Sequence, residues 1–177
     1  RLFGFNEFSL EKFDKFLELN KCKLIFKPHP HSEALVLSYF NEFNLSNLLI
    51  LRNEDLVENN LDLYELLNAT DMLITDYSSV FYDYLLLDKH MIFAPTDITL
   101  YQQDRGFIIE SFESWTPGPK VISQDDLQAE ISKCLEDESY YGDKRAWLRD
   151  LKHRYKDGDS SKRLWNFIDS VMPDQIL

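Results

Sequence analysis

Cysteine is scarce: the 177-residue chain has only Cys22 and Cys134. They stand far apart and show neither CxxC nor Cys/His spacing. That argues against a disulfide scaffold and a zinc site and makes a reducing compartment the simpler setting. Glycine and proline are also sparse, at five and six residues, so collagen-like, linker and low-complexity classes are excluded. No glycine-rich loop of the GxGxxG or GxxxxGKS/T kind occurs, and dinucleotide and P-loop readings lose their support. No cluster of Asp, Glu and His has metal-ligand spacing. Long apolar runs are missing as well. Nothing approaches the roughly 18 to 20 residues that span a bilayer, and no basic segment followed by a cleavable apolar stretch opens the chain. Basic charge is the last shortage. Lys and Arg number 19 against 31 Asp and Glu, a net charge of −12. Nucleic acid and anionic membranes reward clustered cations, so nonspecific association with either is disfavoured. An anionic ligand has to be held by a local site.

What is present is core-forming material. A composition 44% hydrophobic and 14% aromatic suits one globular domain. The chain starts at Arg1 and not at Met, which leads us to expect a piece of something longer, with residues 1–20 as a junction helix. Behind Ser9 as N-cap, Leu10, Phe13, Phe16, Leu17 and Leu19 recur at helical spacing. Residues 22–27 form a short apolar run bounded by KPHP, read as a buried strand ending at His29. Residues 31–43 look helical, 48–51 form a second strand, 53–60 are polar and acidic enough for a loop, and Asp62 caps a helix through Asn68. Then comes a βαβ signature: a strand at Met72, Leu73 and Ile74, the turn TDYSS, a helix over 80–87 and a strand over 91–94. Residues 95–119 lack periodicity and predict a long loop. Val121 and Ile122 suggest a last strand, and helices are expected over 124–135, 140–155 and 160–172. The alternation predicts an α/β fold: a Rossmann-like parallel sheet with helices on both faces.

In such a sheet, ligands bind outside the carboxyl ends of the strands, where helix N-termini converge. KPHP, TDYSS and PTD all fall there. A helix starting at Ser78 or Ser79 offers free backbone N–H groups, the positive end of a dipole and two hydroxyls, a set suited to phosphate; plain N-capping is the equal alternative. Asp76, being an anion, suits ordering of the turn better than contact with phosphate. The prolines of KPHP display His29, and imidazole can donate to a phosphate oxygen or relay a proton near neutral pH. Against this, an isolated histidine is more often structural. Lys27 is near, although strand alternation can turn it to the opposite face. Arg105 in DRGF suits a bidentate phosphate contact, a salt bridge to a nearby acid being the alternative. Gly106 after it permits a positive φ or a close backbone approach. PGPK can bring Lys120 to the same rim, though Pro-Gly by itself marks only a turn.

Taken in order, KPHP, LDLYELLNATDMLITDYSSVFYDYLLLDKHMIFAPTD, YQQDRGF, PGPK and DGDSSKR resemble the C-terminal half of the CDP-glycerol glycerophosphotransferase family. These are the polyol-phosphate transferases of teichoic-acid and capsule synthesis, and the likeness runs from about Lys23 to about Phe167. The resemblance implies a GT-B transferase with two Rossmann-like halves, of which residues 1–177 are the single donor-binding domain and an absent N-terminal half serves the acceptor. It implies CDP-glycerol or CDP-ribitol as donor and a lipid-linked polyol-phosphate or glycan acceptor; no separate cofactor or metal is expected, and the acidic charge already speaks against a nucleic-acid partner. It also implies a cytoplasmic protein, peripheral at the inner face of the cell membrane. His29 matches the family's HP histidine, a donor-phosphate and catalytic residue. Ser78 and Ser79 match its phosphate-binding serines, and Arg105 and Gly106 its RGF element beside the donor, with Arg105 stabilising phosphoryl charge. Asp83 matches an acidic position that faces the polyol or simply stabilises the fold. On this template an acceptor hydroxyl attacks the β-phosphorus and CMP leaves. The isolated chain is expected to bind donor weakly and turn over hardly at all. Fold alone does not fix the donor, so a nucleotide-sugar glycosyltransferase and a non-catalytic module stand as alternatives.

Overall fold

In the computed structural model, which describes residues 4–104, 106 and 111–172, helices alternate with four short strands among the described residues. Ser9 opens α1 (Leu10–Leu19) by accepting the Lys12 N–H, as the spacing predicts, and the helix buries Leu10, Phe13 and Leu17. After β1 (Leu24–Phe26) come a 3-10 turn (Pro30–Ser32), α2 (Glu33–Phe40), β2 (Leu48–Ile50), α3 (Asn53–Glu58) and α4 (Leu63–Ala69), the last capped by Asp62. β3 (Met72–Thr75) passes through TDYSS into α5 (Val80–Tyr84), which tightens to a 3-10 turn (Leu85–Leu87) before β4 (His90–Phe93). The remaining helices are α6 (Ile98–Asp104), α7 (Phe112–Trp115), α8 (Gln124–Glu136), α9 (Gly142–Lys152) and α10 (Ser160–Val171).

The strands are parallel, as expected, but they form two separate pairs, β1 with β2 and β3 with β4, in place of one continuous sheet. Strands of three or four residues make few ladder bonds, so side-chain packing joins the pairs. Phe26 and Ile50 from one pair and Met72 and Ile74 from the other pack on a common cluster with Leu48 and Ile92. β4 shows how both faces are covered. Ile92 and the following Ala94 point into that cluster, with α1 and α8, while Met91 and Phe93 enter a second one with Phe81, Tyr84 and Leu148. Successive side chains leave a strand on opposite faces, and each large apolar group so buried contributes about 1.5–3 kcal/mol.

Several expected boundaries shift. The first strand ends at Phe26, not His29: its carbonyl takes the last ladder bond, from the Leu51 N–H at 2.9 Å, and Pro28 has no N–H to continue. Residues 53–60 are not a loop but hold α3, started by Asp55, which accepts the Arg52 N–H at 2.7 Å and also pairs with its guanidinium, while Leu56 is buried beneath. The stretch 95–119 is broken by α6 and α7. The expected strand at Val121 and Ile122 shrinks to a parallel bridge between Phe93 and Lys120, made by Phe93 N–H to Pro119 O at 2.9 Å and Val121 N–H to Phe93 O at 2.8 Å. Ile122, 70% exposed, already faces water. Among the described residues no helix is long and apolar enough to cross a membrane.

Candidate functional site

At the carboxyl end of β3 the chain turns sharply. Asp76 accepts the Ser78 N–H at 3.1 Å, and the Ser78 hydroxyl lies 3.5 Å from the Val80 N–H. Such Asx-type bonds fix a turn locally. Ser79 is the N-cap of α5, yet its side chain makes no capping bond. Asp76, Ser78 and Ser79 are all exposed at this rim. Asp83, one turn on and also exposed, accepts the Tyr64 hydroxyl at 3.2 Å and so ties α5 to α4.

Between Asp76 and Ser78 sits Tyr77, half-buried. Its ring stacks on Tyr101 of α6, with centroids 4.1 Å apart and 21° between planes, and it also meets Phe112 of α7. Its hydroxyl donates to Asp97 at 2.9 Å. Burial and then the bond to the Asp97 carboxylate raise its pKa well above the tyrosine range, so the phenol stays a donor. Beyond α6, Gly106 at φ +68° donates its N–H to the Tyr101 carbonyl at 3.2 Å. Glycine takes that backbone region without penalty. TDYSS, PTD and the glycine of DRGF are thereby gathered around one aromatic stack. Arg105 itself lies outside the described residues.

His29 and Lys27 belong to the end of the other strand pair. His29 is exposed, its ring stacks on His31 at 5.1 Å, and its Nδ1 accepts the His31 N–H at 3.3 Å. A neutral imidazole that accepts at Nδ1 carries its proton on Nε2, which makes Nε2 a donor to an incoming oxygen. The Lys27 ammonium donates to Asn53 Oδ1 at 2.6 Å, and the Asn53 N–H donates to Glu33 at 3.3 Å. Asn53 escaped sequence reasoning because α3 did.

Lys120 is placed differently from the sequence expectation. Its ammonium donates to the carbonyls of Thr116 at 2.7 Å and Gly118 at 2.8 Å, pairs with Glu113 at 3.3 Å and lies over the Phe93 ring. Two of these partners are carbonyls at the PGP turn and the third belongs to α7, so the ammonium fastens that turn to α7. Burial pushes its pKa down to about 8, the Glu113 charge opposing the shift. The unfolded lysine titrates near ~10.4, so between these values the unfolded chain holds a proton that the folded one has lost, and stability rises with pH. The stability difference between the wild type and Lys120→Met is therefore expected to shift in favour of the wild type from pH 8 towards pH 10. Chemical denaturation across that range checks it, and a flat difference would place the ammonium in water.

Among the described residues no group of three or more His, Cys, Asp and Glu side chains is arranged to hold a metal ion. The residues that sequence reasoning missed are Tyr77, Asp97 and Tyr101. Each lies inside a motif singled out above, but the contacts that join Tyr77 to Asp97 and Tyr101 span 20 residues or more.

The profile of the family described as CDP-glycerol:poly(glycerophosphate) glycerophosphotransferase matches residues 2–170. The teichoic acid ribitol-phosphate polymerase TarL of Staphylococcus aureus is 33% identical over 162 residues, which is 92% of this chain and 26% of that protein. The teichoic acid glycerol-phosphate primase of Bacillus subtilis is 34% identical over 129 residues, 72% of this chain and 32% of the primase. The structure of the wall teichoic acid polymerase TagF superposes with a TM-score of 0.69 at 25% identity, covering 96% of this chain and 39% of that one. A histidine-to-asparagine variant of TagF soaked with CDPG gives a TM-score of 0.69 at 27% identity, covering 94% and 39%. The chain thus spans about a quarter to a third of the length of these curated relatives. It is a member of the CDP-glycerol:poly(glycerophosphate) glycerophosphotransferase family.

Proposed function

We propose that this chain is the donor-binding half of a GT-B polyol-phosphate transferase, built of two Rossmann-like halves, that takes CDP-glycerol or CDP-ribitol as donor. The observation that carries the reading is the exposed turn at the end of β3, where Ser78 and Ser79 present hydroxyls at the start of α5 and Asp76 orders the backbone. Family membership over residues 2–170 supplies the chemistry such a turn serves. A terminal hydroxyl of a lipid-linked acceptor attacks the β-phosphorus, a new phosphodiester bond forms, and the bond to CMP breaks. The hydroxyl proton goes to a base from the other half of the enzyme. His29 donates from Nε2 to a phosphoryl oxygen, Arg105 balances phosphoryl charge, and catalysis rests on positioning and preorganised positive charge. Neither a resident metal nor another cofactor is needed for this step.

The N-terminal half serves the acceptor and docks at the inner face of the membrane, since a chain of net charge −12 has little attraction for anionic lipid. α10 supports a missing partner half. It buries none of its residues, although Leu164, Trp165, Phe167 and Val171 are all more than half exposed, an apolar face of the kind that covered surfaces present.

Titration of the 177-residue chain with CDP-glycerol, CDP-ribitol and UDP-sugars, followed by NMR, tests the donor. Saturable shifts with a CDP-alcohol at the amides of the serine turn are the expected result. A preference of about tenfold, 1.4 kcal/mol, for a UDP-sugar makes the protein a glycosyltransferase domain instead.

A further inference from the structure

We propose that Tyr77 is a positioning residue, a strap that holds the serine turn in its ligand-ready shape by fastening it to α6. This rests on the reading of the turn as the donor-phosphate site. At its far end the turn joins α5 through the Ser79 carbonyl, which accepts the Tyr82 N–H at 3.0 Å. Its own internal bonds are the Asp76 contact at 3.1 Å and the long Ser78 contact at 3.5 Å, both at exposed residues. Tyr77 alone of residues 76–79 is half-buried. Through Tyr77 the turn is connected to the chain beyond β4 by the 4.1 Å stack on Tyr101, by the 2.9 Å bond from its hydroxyl to Asp97 and by a ring contact with Phe112. Asp97 follows the carboxyl end of β4 and Tyr77 follows that of β3, so the bond spans the rim between neighbouring parallel strands. Tyr101 in turn receives the Gly106 N–H on its carbonyl. The same side chain thus ties the serines to α6 and, through Tyr101, to Gly106. Aromatic pairs in this geometry hold more strongly than burial alone requires.

The experiment uses the chain itself, with CDP-glycerol and cytidine as probes and amide exchange at Ser78 and Val80 as an internal reporter. Tyr77→Ala is expected to weaken CDP-glycerol about tenfold through misplacement of the phosphate donors, to leave cytidine affinity and the melting curve near wild type, and to speed exchange at both amides. Tyr77→Phe keeps the stack and loses one hydrogen bond, so it should stay within about threefold of wild type. Wild-type affinity in Tyr77→Ala overturns the strap, and so does an equal loss for CDP-glycerol and cytidine, which marks a general structural role. If the wild-type chain binds no CDP-glycerol, the donor reading itself fails. The strap is then judged by exchange: faster amides in Tyr77→Ala support it, and unchanged amides overturn it. Should Tyr77→Ala not fold, Tyr101→Leu removes the stack from the other side and gives the same comparison.

Discussion

Replacing His29 by Ala in a full-length enzyme that carries this domain is expected to lower kcat by about a hundredfold or more, the range that loss of a positioned acid–base group produces. The fold should not notice. His29 is exposed, and its ring accepts the His31 N–H at 3.3 Å at the head of a 3-10 turn, where its backbone carbonyl takes the Ser32 N–H in any variant. The ring's bond gives the role a rival explanation, because an acceptor at a turn start is also a cap. His29→Asn separates the two. Asparagine is a good capping acceptor, but it has no imidazole to donate from the Nε2 position or to carry a proton. If the chemistry is right, Asn is as inactive as Ala while both melt like the wild type. Activity restored by Asn makes His29 a cap. Near-normal turnover in His29→Ala removes it from the mechanism altogether.

How much of this was readable beforehand depends on whether the signal was local. The unit from β3 to β4 was legible because its apolar residues are contiguous and its turn is spelled out in TDYSS. Ser9 and Asp62 were legible as caps because capping is decided within three residues. α3 was not. Its start is fixed by the Arg52–Asp55 pair, and it buries a single side chain, Leu56, which is too little to make a period. α6 buries none of its residues, so no amphipathic pattern announced it. The split of the strands into two pairs was equally invisible. β1 and β2 are three residues long, too short for their apolar pattern to mark a neighbour.

The candidate site divides the same way. Motifs named the residues at the rim, and the structure shows Ser78 and Ser79 exposed there, with Asp76 bonded into the turn. The Tyr77–Tyr101–Asp97 group was hidden because it joins segments across β4. Lys120 differs: its place beside a turn motif suggested a ligand contact, and the structure sets its ammonium on the carbonyls of Thr116 and Gly118.

PGPK nevertheless has a strong demand built into it, and it falls on Gly118. A Cβ added there would stand 2.0 Å from the Met91 carbonyl oxygen and 2.9 Å from its carbon, with the Phe93 ring at 3.2 Å. The first two are backbone atoms of β4, and Met91 is 1% exposed in the second core cluster. Neither side can give way without loosening the Phe93–Pro119 and Val121–Phe93 hydrogen bonds that hold this segment to the strand. Gly118→Ala is therefore expected to destabilise the domain by about 3 kcal/mol, a fall in melting temperature of about 10 °C for a domain of this size. Gly142→Ala is the matched control. Its nearest neighbour is the Arg145 guanidinium at 3.8 Å, an ordinary contact distance, and alanine is the better helix former, so its melting point should hold or rise. A Gly118→Ala protein that melts with the wild type would show that the turn does not lie against β4. Lys120 would then have lost the anchor that explains its buried charge.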